Sequence, residues 1–304
     1  PPTARPCSGA STRRLDGNLK LMRTRAMLSR LLFTAALVSL AARAPAWAQE
    51  GADQAEDWSL TSVPDRQAVV ATISFTSGLT IAARCMDGVY DVLITGLPDA
   101  PRRATSREIG IQAGDETEPY TSVWTVGTER HTAFSRIPAV VARDLAKGGQ
   151  LQVILPASTR DGRRTRYVMD LDPSSSAIEQ TLTSCGRPMV DPREARALEI
   201  DGNGQDGLPD TVQWQTMPRP SFPESVNGRL PLEGYVVLSC VLTSEGRMTE
   251  CQSESEQPAG YNLWRSVERS LPRARLKLSD DAAAAGLPLA GRLVRFSVVF
   301  KMQP

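Results

Sequence analysis

From position 69 to 171, apolar and polar residues alternate in the two-residue rhythm of strands that bury one face. Val69, Ala71, Ile73 and Phe75 share a face, as do Leu79, Ile81, Ala83 and Cys85, then Tyr90, Val92 and Ile94. The stretches 121–126, 151–155 and 166–171 continue the pattern. Six or more short strands punctuated by Gly, Pro and Asp predict a mainly-β antiparallel sandwich or barrel. Two stretches switch to helical spacing. Residues 138–147 open on Pro138, place Val141 and Leu145 four apart and stop at Gly148. A second helix begins at Asp172-Pro173, carries Ile178, Leu182 and Cys185 on one stripe and ends at Gly186.

The pattern changes past position 218. Residues 234–251 read as two strands around a Glu245-Gly246 turn. A helix follows with Leu263, Trp264, Val267 and Leu271 on one stripe, and Pro272 closes it. In the last strand, Val294, Phe296, Val298 and Phe300 alternate with Arg295, Ser297 and Val299. The order β-β-α-β predicts an α+β unit of one small sheet under one helix. Between the two units, residues 189–217 hold Asp201-Gly-Asn-Gly-Gln-Asp-Gly-Leu-Pro-Asp210 and several prolines. Asp201, Asn203 and Gln205 match the first ligand positions of a calcium loop, but Asp206 stands where such a loop needs Gly, and Val212 where it needs Glu. A flexible linker is predicted, with no metal and no cofactor.

The front of the chain reads as an address. Arg23, Arg25 and Arg30 precede an apolar run, 31–42, and a small-residue exit Ala46-Trp47-Ala48. This is the grammar of a cleaved secretory signal, so residues 1–48 form an upstream segment plus signal peptide. Twelve residues of helix reach only ~18 Å, short of a ~30 Å hydrocarbon core. The competing expectation is an uncleaved anchor extending to Ala48. Residues 49–304 carry 27 basic against 33 acidic side chains, which argues against nucleic acid as a partner. Export leaves Cys85, Cys185, Cys240 and Cys251, and an even number in an oxidising compartment predicts two disulfides. Three pairings are possible. Cys185, on the buried stripe of its helix, is expected to join Cys85 on a core strand, and a two-residue turn would set Cys240 opposite Cys251.

The C-terminal order resembles the C-terminal domain of TonB-family energy transducers. The residues that carry the likeness are Phe222-Pro223, Gly234-Tyr-Val-Val, Glu245-Gly246-Arg-Met, the helix 261–271, Gly286-Leu-Pro-Leu and the final strand 293–300. The resemblance spans about residues 218–302 and implies a specific use: the last strand lies at a sheet edge and accepts an extended peptide, the TonB box of an outer-membrane receptor, as an added strand. Here the partner-binding residues would be Leu293, Val294, Arg295, Phe296, Ser297, Val298, Val299 and Phe300. Main-chain groups supply such an interaction, so side chains along the edge can vary. Family members carry a His-bearing membrane anchor and a Pro-rich rod; this chain has neither pattern, and a β-rich unit occupies the intervening stretch. Residues 57–188 are similar, more loosely, to β-rich periplasmic modules of the invasion-associated locus B type, through Cys85-Met-Asp-Gly, Ala142-Arg-Asp-Leu-Ala-Lys-Gly148 and Ser176-Ala-Ile-Glu.

Catalytic patterns are missing from the sequence. His131 is the single histidine and stands in a polar stretch; no nucleophile elbow, HExxH, P-loop or dinucleotide fingerprint occurs. The expectation is a two-domain, non-enzymatic protein of the Gram-negative periplasm: a β-rich domain at 57–188, a linker at 189–217 and a TonB-like domain at 218–304. It would bind a peptide of a TonB-dependent receptor or another envelope protein. An anchored energy transducer and an envelope hydrolase seated in the first domain are the alternatives, and an open edge invites homodimers.

Overall fold

The structure, a computed structural model, describes residues 58–114, 119–157, 162–174, 176–197, 207–222 and 233–301. The signal-like segment and positions 201–206 of the calcium-like loop lie outside the described residues. The protein is mainly β, with antiparallel sheets and a few short helices.

Fourteen strands are described: β1 (Ser59–Val63), β2 (Ala68–Ser74), β3 (Thr80–Met86), β4 (Val89–Thr95), β5 (Ser106–Ala113), β6 (Tyr120–Val126), β7 (Ala133–Ser135), β8 (Gly149–Leu155), β9 (Thr165–Leu171), β10 (Val212–Thr216), β11 (Glu233–Leu242), β12 (Met248–Gln257), β13 (Arg275–Leu278) and β14 (Leu293–Lys301). The first nine are hydrogen-bonded as one continuous antiparallel sheet in the order β1-β2-β3-β4-β7-β6-β5-β8-β9. β1 and β9 end this sheet rather than join, so its pairing does not close into a barrel among the described residues.

The alternating apolar residues of these strands meet two helices, α1 (Pro138–Ala146) and α2 (Ala177–Ser184). Ile81, Ile94, Ile109, Ile111, Trp124 and Leu151 from the sheet and Leu145, Ile178 and Leu182 from the helices are fully buried. Each contributes about 1.5–3 kcal/mol on leaving water. Every residue of α1 is buried, charged ones included, because β4, β7, β12 and α2 all pack against it. Cys85 of β3 bridges Cys185 at the end of α2, with Cα atoms 5.5 Å apart. Beside it, Tyr90 Oη and Thr181 Oγ1 share a hydrogen bond of 3.1 Å, and burial pushes the Tyr90 phenol up to about 12.

The C-terminal residues build a three-stranded sheet in the order β12-β11-β14, and β10 pairs separately with β13. Helix α3 (Leu263–Ser270) covers the small sheet, burying Leu263 and Val267 against Val236, Leu238, Val294, Phe296 and Phe300. A short α4 (Asp280–Ala284), capped by Ser279, precedes β14. Strand β13 and α4 stand beyond the β-β-α-β expectation, and β10 comes from within the stretch read as linker.

The hairpin tip corrects the two-residue turn. Gly246 N–H donates to Thr243 O (3.0 Å) and Thr243 N–H to Arg247 O (2.9 Å), so the loop is Ser244-Glu245-Gly246. That alone would slip Cys251 out of line with Cys240. Glu250, at φ 49°, is an extra residue in β12: Val241 pairs with Thr249, and Ser239 with Gln252. This extra residue offsets the longer loop, and Cys240 and Cys251 are bonded.

Candidate functional site

All eight residues expected to receive a partner fall on β14, which pairs with β11 from Val241↔Leu293 to Glu233↔Lys301. Leu242 N–H donates to Arg292 O at 2.9 Å, which marks the positions where the two backbones face each other. Residues 294, 296, 298 and 300 thus bond toward β11, and Leu293, Arg295, Ser297, Val299 and Lys301 turn their N–H and C=O groups to the far side. No strand lies on that side among the described residues. The side chains divide differently. Val294, Phe296 and Phe300 enter the small core, Leu293 and Arg295 are also buried, and Val299 is 48% exposed.

Residues 207–222 run over part of this edge. A methyl group built on Gly207, at φ 83°, would lie 3.4 Å from Phe296 Cα and 3.6 Å from Arg295 O. Trp214 stacks edge-on against Phe296 (5.2 Å between ring centres), and Phe222 against Phe300 (5.9 Å). Thr211 accepts a hydrogen bond from the buried Arg292 guanidinium. The middle of β14 is therefore screened by its own chain, and the open main-chain groups lie toward Val299 and Lys301.

Arg295 belongs to an ionic strap that the sequence reading placed in the linker. Glu194 receives Arg143 of α1 at 2.7 Å and Arg295 of β14 at 3.3 Å. Arg193 is clamped by Asp191 (2.7 Å) and donates to Glu250 O (2.7 Å) and Gln252 Oε1 (2.8 Å) on β12. Glu254, 3.9 Å from Arg193, accepts from Ser239 Oγ. Arg187 reaches Gln252 and Ser253 O. One short segment thus touches α1, β12 and β14. Its run Asp191-Pro-Arg-Glu-Ala-Arg196 was visible, but a charge run signals solvent unless partners are known.

The two carboxylates of the strap titrate in opposite senses. Burial opposes the charge of Asp191, yet Arg193's side-chain and main-chain hydrogen bonds and the charges of Arg193 and Arg143 outweigh it, holding the carboxyl below its ordinary value. Burial dominates at Glu194, aided by Asp191 and Glu254 against Arg143 and Arg295, so its carboxyl rises. A depressed carboxyl stabilises above its unfolded value and loses that contribution as pH falls through its folded value; a raised one does the reverse. Asp191→Asn is expected to cost about 1–2 kcal/mol at pH 7 through a weakened charge-assisted bond. Below about pH 4 the difference from the parent should close, in urea midpoints measured from pH 7 to pH 2.5.

His131 lies 3.1 Å from Glu129 on the surface, and no metal-binding group of three His, Cys, Asp or Glu occurs among the described residues. Trp124 is a core residue, and Trp214 and Trp264 are partly buried against the small core. None of the described helices is long and apolar enough to cross a membrane. No protein-family model matches the chain, and no curated protein matches it.

Proposed function

We propose that this is a non-enzymatic, TonB-like protein of the Gram-negative periplasm that binds an extended peptide by strand addition along β14. The partner is the TonB box of an outer-membrane receptor or a similar segment of another envelope protein, which links the protein to TonB-dependent transport. The observation that carries the reading is the position of β14 at the end of its sheet, with alternate main-chain groups facing away from β11. Two disulfides accord with an oxidising compartment. The reading divides the chain into a β-rich domain and a TonB-like domain that meet through the strap.

Main-chain recognition has a sharp test. The N–H of Val299 faces outward, so Val299→Pro deletes a donor for a visiting strand without touching the β11 ladder. Titration of the chain, disulfides intact, with TonB-box peptides should give saturable binding that Val299→Pro weakens roughly tenfold or more, from one lost hydrogen bond and a blocked edge. Absence of binding by the parent, or equal binding by both, overturns the reading.

A further inference from the structure

Strand β9 ends the nine-stranded sheet, and no strand lies on its outer side among the described residues. One hydrogen bond fixes which of its groups face out. Gly114 N–H donates to Gln150 O at 3.0 Å, extending the ladder in which Ala113 faces Leu151. Gln150 and Gln152 therefore turn their backbone toward β5, and Leu151 and Val153 turn theirs toward β9. Leu151 pairs with Met169 and Val153 with Tyr167, so those two residues of β9 are satisfied inside the sheet. Arg166, Val168 and Asp170 present their N–H and C=O groups outward.

These three residues also share the exposed face, where Val168 is 54% accessible. Edge strands are commonly protected by charge, but β9 carries one charge of each sign, placed symmetrically two residues either side of an exposed valine. A strand with that pattern is complementary to itself. Lay a second β9 antiparallel with Val168 facing Val168, and Arg166 stands opposite Asp170 twice, while Tyr167 meets Met169 on the other face. The same register makes all three outward residues hydrogen-bonded pairs, giving about six main-chain bonds across a twofold axis. Sliding by one pair in either direction sets a charged residue against Val168. Arg166 already leans on Gln152 Oε1 across the strand, and Asp170 has no ion pair among the described residues.

We infer that the chain associates with a second copy of itself through β9, joining two nine-stranded sheets into one about a twofold axis at Val168. This surface is separate from β14, so the dimer and the peptide site stand or fall independently.

Charge reversal tests the register by sedimentation of the whole chain. Asp170→Arg and Arg166→Asp each set like charges opposite one another at both symmetry-related pairs, and each should weaken self-association roughly tenfold or more. An equimolar mixture of the two variants should recover the parent's dimer, because the two arginines of one then face the two aspartates of the other. Val168→Cys should form an intermolecular disulfide on oxidation, since opposed residues on the axis stand at ~5.5 Å between Cα atoms. A parent chain that sediments as a monomer, a dimer indifferent to both reversals, a mixture no tighter than its components, or a cysteine variant that does not cross-link overturns the inference.

Discussion

Replacing Cys85 and Cys185 together by alanine should remove about 4–5 kcal/mol of stability, the largest loss expected from a change at any one contact in the molecule. The bridge closes a loop with a sequence separation of 100, and the chain-entropy argument assigns ~4.7 kcal/mol to a loop of that length. Packing adds to the effect, because Cys85 is buried on the face of β3 that meets α2. Against a total of about 5–15 kcal/mol for an ordinary domain, such a loss is a large fraction. Urea unfolding of the parent with and without reductant, beside the double variant, measures it. Without reductant the variant should unfold at a midpoint well below that of the parent; with reductant, which also opens Cys240–Cys251, both should fall to a common lower midpoint, and coincident midpoints of parent and variant without reductant would refute the claim.

Gly246→Ala should follow, at roughly 3 kcal/mol, combining a left-handed backbone penalty with a clash that cannot relax. Gly246 adopts φ 71°, and a methyl group there would stand 1.8 Å from Leu276 O. The neighbour is backbone, and it is fixed: Leu276 N–H donates to Gly246 O at 3.0 Å, and Leu276 itself is buried in the small core. Because this contact ties the β11–β12 hairpin to β13, the loss should appear as lowered cooperativity of the C-terminal sheet. Amide exchange at Val236, Leu238 and Phe296 in the alanine variant, compared with the parent, reads it directly. Unchanged protection at those three amides would show that the turn is not a structural joint.

The strands of the large sheet were legible because each buries one face, and a half-buried strand writes its face into every second residue. Val92 and Ile94, or Leu151 and Val153, could hardly be read otherwise, whereas Ile109 and Ile111 of β5 follow the same rule without having been singled out. The helices were legible from Pro138, Gly148 and Gly186, which mark their ends, although α2 starts later than Asp172-Pro173 suggests. The cysteine pairs followed from burial and strand opposition, but the three-residue loop at the hairpin tip and the compensating bulge at Glu250 were hidden. A left-handed glutamate leaves no mark in composition.

What escaped was structure made by partners distant in sequence. Val212 and Trp214 form a strand only because Leu278 and Leu276 lie across from them, and five residues among prolines do not announce that. The strap escaped for the same reason. Arg193 has the sequence surroundings of a solvated charge and the burial of a core residue, and the difference is supplied by β12, more than fifty positions later. At the candidate edge, the strand itself was readable from the alternation of Val294, Phe296, Val298 and Phe300. The screening of its middle by Gly207 was not, since a glycine in a loop signals freedom rather than close approach.

Arg187 stands two residues past Cys185, so the covalent bond that anchors the end of α2 also anchors the start of the strap. Its arginines and carboxylates are thereby delivered to β12, α1 and Arg295 at the high effective concentration of a short tether. Cutting that bond would leave every ionic contact chemically possible while enlarging the volume its partners must search. Thiol chemistry on the large sheet is thus coupled through chain connectivity, without any change of shape, to how firmly the small sheet is held.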